Sequence, residues 1–228
     1  MCGICGIVTF NEKHVLDNEI QLMMGQMKHR GPDSEGKFIE KYIGFGHLRL
    51  SILDLSSDGH QPMFSDDNRY VIIYNGEIYN YIELKLQLSS IFSFRSKTDT
   101  EVLLNSYRYW GKKCLDHFNG MFAFAIFDRK HKSLFLARDR FGIKPLYYYL
   151  DCERLIFASE IPPILSVLKK PVIPDETSIF DYLMFNRTDH GDSTFFSGIK
   201  KLQHGHYLEV SNNKVSINRW YSLRQKLS

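Results

Sequence analysis

Apolar residues occur along most of the chain in short runs bounded by polar turn residues, a pattern typical of β-strands. It predicts strands at residues 4–10, 36–40, 42–48, 70–74, 121–127, 133–138, 146–150 and 155–159. The links between the last four runs are short and polar, as at residues 128–132. Because parallel strands need long crossovers whereas hairpins need only short links, the pattern favours antiparallel sheets.

The spacing of apolar and polar positions predicts helices at residues 16–28, 81–88 and 99–110. The last of these has clear limits, because Thr98 and Glu101 form a capping-box pattern and Gly111 follows the final turn. Helices that come early and hairpins that come later predict an α+β fold, with helices on the outside of two stacked antiparallel sheets.

The chain changes character after residue 160, where prolines interrupt residues 161–175. We expect two short helices around this segment, and a final hairpin from residues 205–210 and 214–220 with a turn at Asn212-Asn213. Residues 1–228 are expected to form one domain, with a core over about residues 2–160 and a C-terminal extension over about residues 161–228.

Composition and charge exclude several classes of function. Of the 228 residues, 43% are hydrophobic and 14% aromatic, which is enough for a buried core. The net charge is only +3 and the lysines and arginines are scattered, so no nucleic-acid partner is expected. The longest apolar stretches, such as residues 121–127, are far shorter than the roughly 18 residues of a membrane span. Polar residues from Asn11 onward exclude a secretory signal, so we expect a cytoplasmic protein with no membrane partner.

Neither metal nor disulfide chemistry is indicated by the cysteines and histidines. Cys2, Cys5, Cys114 and Cys152 lack the paired spacing of a zinc site and the density of a disulfide scaffold. The nine histidines show no tight metal-ligand spacing. We therefore expect reduced cysteines and no metal.

Cys2 directly follows Met1, so removal of Met1 would place a thiol and a free amine on one residue. Such an amine can accept the proton of its own nucleophile, and its unperturbed pKa of about 7.7 to 8.0 suits a general base. The alternative is that Cys2 simply begins a buried strand, since free cysteine packs as a small hydrophobe. Both interpretations are open on position alone.

Polar groups in three places stand out against their surroundings. Arg49 lies among apolar neighbours, where a lone charge is costly unless an anion meets it. Asn75-Gly76 ends a predicted strand and is either a type I′ hairpin turn or, because a helix start follows at Asn80, a turn that aims two N–H donors at a ligand. Asp99, taken alone, is interpreted as a helix N-terminal residue that stabilises the helix dipole.

Characteristic blocks of sequence connect these groups. The chain contains, in this order, CGICG (2–6), HRGPD (29–33), GHLRLSI (46–52), GHQPM (59–63), YNGEIYN (74–80), SKTDTE (96–101) and FNGMFAF (118–124). Later blocks are RDRFGIKPLYY (138–148) and FASE (157–160). Together they resemble the class II glutamine amidotransferases, and in particular the branch of the glutamine-hydrolysing asparagine synthetases. The likeness extends from Cys2 to about Tyr221.

This resemblance implies an N-terminal nucleophile hydrolase-like fold, a four-layer αββα sandwich of two antiparallel sheets. It implies an enzyme as well, namely a glutaminase that hydrolyses L-glutamine to glutamate and ammonia through a thioester on Cys2. Other charged residues of the blocks are expected to be structural. Arg30 and Asp33 are assigned to a buried pair or loop brace, and Asp139 and Glu160, with Arg138, to the scaffold or an interdomain surface.

The resemblance also implies a role for each candidate site residue. It assigns Asn75 and the Gly76 N–H to the oxyanion hole. Arg49 is assigned to the α-carboxylate of glutamine, and Asp99, assisted by Glu77, to its α-ammonium. A zwitterion of this kind requires opposite charges at its two ends, and the planar fork of arginine suits a carboxylate.

In the family, the ammonia passes to a domain that activates an acid with ATP and is marked by a Ser-Gly-Gly-Leu-Asp-Ser type loop. This sequence contains no such loop. ATP and magnesium are therefore expected only in an absent synthetase part, and the glutaminase needs no cofactor. The chain is expected to be a fragment of a two-domain synthetase or a separate subunit that supplies ammonia to one.

Two alternatives belong to other classes of function. One is a non-catalytic regulatory or docking module of the same fold, which the absent synthetase half keeps open. The other is an N-terminal nucleophile amidohydrolase that acts on another amide. Arg49 and Asp99 argue against the second, because a zwitterion clamp is useless for a neutral or peptide amide.

Overall fold

A computed structural model describes residues 1–10, 13–54 and 56–227, with the side chains of all of these except residues 226 and 227. Two six-stranded sheets form its centre, and all of their strand pairings are antiparallel, as the short links predict. The first sheet has the order β10 (Ile199–Lys201), β8 (Tyr147–Leu150), β9 (Arg154–Ala158), β1 (Gly3–Thr9), β3 (Ile43–Arg49) and β2 (Ser34–Glu40). The second has the order β12 (Lys214–Arg219), β11 (His206–Ser211), β7 (Ser133–Arg138), β6 (Gly120–Asp128), β5 (Tyr70–Ile78) and β4 (Met63–Phe64).

Helices cover the outer face of each sheet. The described helices are α1 (Asp17–Gly25), α2 (Tyr81–Leu88), α3 (Asp99–Trp110), α4 (Cys114–His117), α5 (Ile161–Leu165), α6 (Glu176–Phe185) and α7 (Leu223–Leu227). Apolar residues of α1 and α5 share a buried cluster with the first sheet, and those of α2, α3 and α4 share another with the second sheet. A third cluster, which includes Ile4, Phe45 and Ile73, fills the space between the sheets. The fold is thus the expected α+β sandwich with layers in the order αββα.

Residues after 160 contribute to both sheets. Strand β10 pairs with β8 at the edge of the first sheet, and β11 pairs with β7 in the second. Strand β12 completes the predicted final hairpin, and both turn residues, Asn212 and Asn213, have the positive φ that a type I′ turn requires. The strands between residues 199 and 219 therefore extend both sheets of the sandwich.

The predicted end of a strand at Tyr74 is wrong. Strand β5 continues through Asn75 and Gly76 to Ile78, and it pairs along its whole length with β6. This non-local pairing overrides the local hairpin preference of Asn-Gly. A Cβ atom on Gly76 would lie 2.3 Å from the Met121 carbonyl oxygen, so glycine is needed here for close strand approach rather than for a turn.

The helix limits agree with the sequence pattern to different degrees. Helix α3 has the predicted limits, whereas α1 ends at Gly25, three residues before its expected end. At the start of α3, the Thr98 hydroxyl accepts a hydrogen bond from Glu101 N at 3.3 Å, which is half of the predicted capping box. The Glu101 carboxylate instead accepts from the backbone N–H groups of Arg95 and Ser96. Glu101 thus anchors the loop that leads into the helix rather than the cap residue.

Candidate active site

A pocket of about 80 Å³ lies where the start of β1, the end of β3 and the middle of β5 meet the start of α3. All the site residues proposed from the sequence line it, namely Cys2, Arg49, Asn75, Gly76, Glu77 and Asp99. Its other walls include Met1, Gln61, Tyr74, Met121 and Lys144. The fold therefore brings together proposed site residues that are up to 97 positions apart in the sequence, from Cys2 to Asp99.

Cys2 is partly buried, and both its thiol and its backbone carbonyl oxygen accept hydrogen bonds. Leu50 N donates to Cys2 Sγ at 3.4 Å, and Arg30 Nε donates to the Cys2 carbonyl oxygen at 2.9 Å. The Arg30 guanidinium is buried and forms an ion pair with Glu160, with Nη1 2.7 Å from Oε1. This geometry fixes the backbone at Cys2 through a charge-assisted contact.

The structural roles expected for Arg30 and Asp33 are confirmed, but they do not act as a pair. Arg30 pairs with Glu160, whereas Asp33 Oδ2 accepts from Ser51 N at 2.7 Å and braces the loop after β3. Sequence spacing could not choose between these partners, because Glu160 reaches Arg30 only through the pairing of β1 with β9.

The other three cysteines differ from Cys2 in their surroundings. All four are free thiols. Burial raises the pKa of Cys5 to about 12 and also raises the pKa of Cys114, so both are poor nucleophiles at neutral pH. Cys152 is exposed but does not line the pocket. Cys2 is therefore the one described thiol that faces this pocket.

Asn75 places an amide group in the pocket from within β5. Its side chain is buried, and Nδ2 has no hydrogen-bond partner among the described residues. A buried amide without a partner is costly, and such groups are commonly kept for a ligand. Gly76 lines the same pocket. Together these donors can stabilise a negative charge that develops on a bound carbonyl oxygen.

His47 supports this part of β5 from the opposite sheet. Its ring is buried, and Nε2 lies 3.2 Å from the carbonyl oxygen of Tyr74, the residue before Asn75. Burial lowers the pKa of His47 to about 3. The ring is therefore neutral at physiological pH, and Nε2–H donates to the carbonyl while Nδ1 is left without a partner.

Arg49 ends β3 and is almost fully buried. Nη1 donates to the Ser56 carbonyl oxygen at 2.9 Å, and Nη2 donates to those of Leu53, at 3.5 Å, and Asp54. A guanidinium has five N–H donors, so donors remain for a bound carboxylate. A Cβ atom on Gly59 would lie 2.1 Å from Arg49 Nη2, so a side chain at this position would displace the guanidinium.

Arg49 also lines a second cavity, of about 530 Å³, together with Asp33, Ser34 and His60. Among the described residues, Arg49 alone lines both this cavity and the pocket that contains Cys2.

Asp99 lies in the first turn of α3 and is buried. Its Oδ2 accepts from the Tyr74 hydroxyl at 2.7 Å and from Ile78 N at 2.9 Å. Burial raises the pKa of Asp99, the negative charge of Glu77 also raises it, and these two hydrogen bonds oppose the rise. A bound ammonium would stabilise the ionised form of this carboxyl group, since opposite charges at close range favour ionisation.

The elements that carry Arg49 and Asp99 are joined by Asp54. Its Oδ2 accepts from Lys97 N at 2.9 Å, two residues before Asp99, while its carbonyl accepts from Arg49. Hydrogen bonds from Ser56 and Lys97 lower the pKa of Asp54 to about 2. The loop after β3 and the start of α3 therefore hold the two opposite charges in a fixed relation.

Sequence reasoning gave no site role to Lys144, Gln61 or Tyr74, which also line the pocket. Gln61 connects two walls, since Oε1 accepts from Tyr74 N at 2.6 Å and Nε2 donates to Thr100 Oγ1 at 3.2 Å. Lys144 is buried, burial lowers its pKa, and its Nζ lies 3.4 Å from Met1 Sδ. A lysine between apolar residues in the 138–148 block was the signal that could have found it.

The described residues contain no group of three or more His, Cys, Asp or Glu side chains arranged to hold a metal ion. Within the same part of the chain, every helix is too short or too polar to cross a lipid bilayer.

Comparison with known proteins identifies the family. Residues 1–221 match the family model described as a glutamine amidotransferase domain. The chain belongs to this family. This confirms the expected family and the assignment as an enzyme, because the glutamine amidotransferase domain is a catalytic domain.

The glutamine amidotransferase domain has curated relatives that are much longer. It is 41% identical over 243 aligned positions to the putative asparagine synthetase [glutamine-hydrolyzing] 2 of Methanocaldococcus jannaschii, which covers 97% of this chain and 46% of the relative. It is 36% identical to the asparagine synthetase [glutamine-hydrolyzing] 3 of Bacillus subtilis, covering 99% of this chain and 37% of that protein. The chain thus spans less than half the length of these relatives.

A solved structure shows the same fold at lower sequence identity. The glutamine phosphoribosylpyrophosphate amidotransferase of B. subtilis superimposes with a TM-score of 0.71 over 96% of this chain and 49% of its own chain. The two sequences are 19% identical. The match supports the N-terminal nucleophile amidotransferase fold alone.

Proposed function

We propose that this domain hydrolyses L-glutamine to glutamate and ammonia at Cys2 and supplies the ammonia to an ATP-dependent amidation. The observation that carries the proposal is the unpartnered Asn75 Nδ2, which lies in the same pocket as a free thiol and two opposite charges. That pocket offers a nucleophile, an oxyanion donor and partners for both ends of a free amino acid.

Activation of the nucleophile requires removal of Met1. In the described chain the nitrogen of Cys2 is a peptide amide, and the side chain of Met1 occupies part of the pocket wall. Removal of Met1 would free the Cys2 α-amine, which can take the thiol proton directly or through one water. It would also enlarge the pocket and release Lys144 Nζ from its contact with Met1 Sδ.

The thiolate then attacks the side-chain carbonyl carbon of glutamine. The carbonyl oxygen gains negative charge, which Asn75 Nδ2 and the Gly76 N–H stabilise; each such donor can be worth about 2.7 to 4 kcal/mol. The carbon–nitrogen bond breaks as the Cys2 α-ammonium returns its proton to the leaving ammonia. Water hydrolyses the resulting thioester, releases glutamate and restores the thiol.

Specificity for a free amino acid follows from the charges at the far end of the pocket. Arg49 binds the α-carboxylate, and Asp99, assisted by Glu77, binds the α-ammonium. The link through Asp54 supports this pairing because it fixes the separation between the two charges. A neutral amide would leave both buried charges without an oppositely charged partner, which is costly.

The fate of the ammonia is inferred from the relatives. Several are named glutamine-hydrolyzing asparagine synthetases and are more than twice as long as this chain. We propose that a synthetase domain or subunit of this kind, with ATP and magnesium, uses the ammonia to amidate a carboxylic acid. Aspartate is the acceptor that the resemblance implies.

Turnover of glutamine by the purified chain tests the proposal. The intact mass establishes that Met1 is removed, and glutamate and ammonia are then measured in equal amounts. Cys2→Ala should abolish turnover, while the matched control Cys152→Ala, at an exposed free thiol, should leave it unchanged. Turnover that survives Cys2→Ala, or full activity in a chain that retains Met1, would reject the mechanism.

A further inference from the structure

Helix α6 exposes large apolar side chains to an unusual extent. Phe180, Leu183 and Met184 are 56%, 73% and 62% exposed, and Tyr182 and Phe185 are also exposed. A surface helix normally turns its apolar stripe toward the core of its own domain. Here the only buried residue of the helix is Ser178.

The large apolar side chains of α6 lie outside the packed core of the sandwich. None belongs to the three apolar clusters formed by the described residues. Exposed Ile173 precedes the helix, and Phe195 contacts Tyr182 with ring centroids 5.3 Å apart. We define the α6 face as Ile173, Phe180, Leu183, Met184 and Phe185. Contiguous apolar patches of this kind mark interaction sites.

We propose that the α6 face is the surface on which the ammonia-accepting synthetase domain docks. The inference rests on the proposed function and names its partner surface. The length of the relatives supports it. This chain matches only 46% and 37% of two of them, so each of those proteins contains a further region of comparable or larger size. That region is a partner large enough to cover the patch.

The position of helix α6 relative to the pocket is consistent with the same partner. A cavity of about 340 Å³ contains Ser178 of α6 and also Asp189 and Lys201. A second cavity, of about 290 Å³, shares Asp189 and Lys201 and reaches Phe141. Phe141 is exposed and belongs to the loop whose Lys144 lines the pocket. The two cavities therefore connect the buried side of helix α6, at Ser178, with the loop beside the pocket.

The loop beside the pocket is rigidly held in a form that presents apolar groups outward. Asp139 is fully buried, and its carboxylate accepts backbone hydrogen bonds from Phe122, Phe141, Ile143 and Lys144. Phe141 and Ile143 are nevertheless exposed. The buried Asp139 carboxylate thus keeps the loop ordered while its apolar side chains stay exposed. A loop that is already ordered loses less entropy when a partner binds, as expected of a preformed contact surface.

The charged residues near the α6 face indicate what kind of surface the partner presents. Helix α6 contains Glu176 and Asp181 but no lysine or arginine. Asp189 follows it, and Arg187 stacks on the Phe185 ring. Because Asp181 pairs with His190 and Asp189 pairs with Lys201, the complementary surface is mainly apolar. Interfacial membrane helices, by contrast, are rich in lysine and arginine on their polar face.

Hydrogen exchange in a full-length hybrid tests the docking. In the hybrid, residues 1–221 of this chain replace the matching region of the M. jannaschii relative. Amides of residues 176–185 should exchange at least tenfold more slowly in the hybrid than in the isolated chain. Leu183→Glu should remove this protection and lower the amide formed per glutamate released severalfold. The matched control Ile217→Glu, on the exposed strand β12, should change neither quantity.

Several results would overturn the docking proposal. Equal exchange of residues 176–185 in both proteins would exclude the contact. A dimeric mass of the isolated chain that Leu183→Glu makes monomeric would assign the face to a second copy. Flotation of the isolated chain with vesicles of anionic phospholipid would assign it to a membrane. Hydrogen exchange can be measured without turnover. If the wild-type chain lacks glutaminase activity but residues 176–185 are still protected in the hybrid, the proposed function fails and the docking proposal stands.

Discussion

His47 and Tyr74 join the two sheets directly behind the candidate oxyanion hole, with Nε2 of His47 3.2 Å from the Tyr74 carbonyl oxygen. The contact ties β3 to β5 one residue before Asn75. Because the ring is buried and its pKa is lowered to about 3, the bond persists over the whole physiological pH range. His47 is thus a positioning residue for the Asn75 amide.

The buried neutral ring predicts a dependence of stability on pH. Unfolded His47 binds a proton near its ordinary pKa of about 6.5, whereas the folded ring does not, so the unfolded state gains protons as the pH falls. The His47 contribution to the free energy of unfolding should decline by about 1.5 kcal/mol between pH 6.5 and pH 5. Urea denaturation of the wild type and of His47→Asn measures this difference, and parallel pH profiles would contradict it.

Asn75→Ala should reduce kcat by about 10²- to 10³-fold with little change in KM, because the amide acts mainly on the charge of the transition state. Steady-state release of glutamate measures both constants. Asn218→Ala, at an exposed position on β12, is the matched control and should behave as the wild type. A rise in KM at unchanged kcat would instead place Asn75 in substrate recognition.

Asp99 should make glutamine binding weaker at low pH. Burial raises the pKa of Asp99, and the neutral carboxyl group cannot balance the charge of the substrate ammonium. The KM of the wild type should therefore rise as the pH falls through this raised pKa. Asp99→Asn, which keeps an acceptor for Tyr74 and Ile78, should show a high KM that is nearly independent of pH. The same pH dependence in both proteins would exclude this role.

Asp139→Ala should lower the free energy of unfolding by at least about 3 kcal/mol, since four backbone N–H groups lose a charged acceptor. Asp139→Asn keeps one acceptor oxygen and should cost less. Urea denaturation ranks the two variants. Equal stability of Asp139→Ala and the wild type would show that water replaces these bonds.

Local signals predicted those parts of the fold that depend on neighbouring residues. Thr98 and Gly111 set the limits of α3, and Asn212-Asn213 set the last turn. The strand through Asn75 and Gly76 was not predicted, because its register with β6 depends on residues more than 40 positions away.

The candidate site shows the same division between local and non-local information. Sequence blocks supplied Cys2, Arg49 and Asp99, which the fold brings to one pocket. They did not supply Gln61 as the link between two pocket walls, nor Glu160 as the partner of Arg30. Those contacts depend on distances between separate elements, which spacing along the chain does not encode.

Arg49 lines two cavities, so a change at this residue would alter both the proposed carboxylate site and the wall of the larger cavity. We expect a shorter residue at this position to connect the pocket with the larger cavity. The loss of a charge and the entry of solvent would then occur in one step, so weakened binding and premature hydrolysis of the thioester would appear together. A variant that preserves bulk without charge, Arg49→Met, would show how much each contributes.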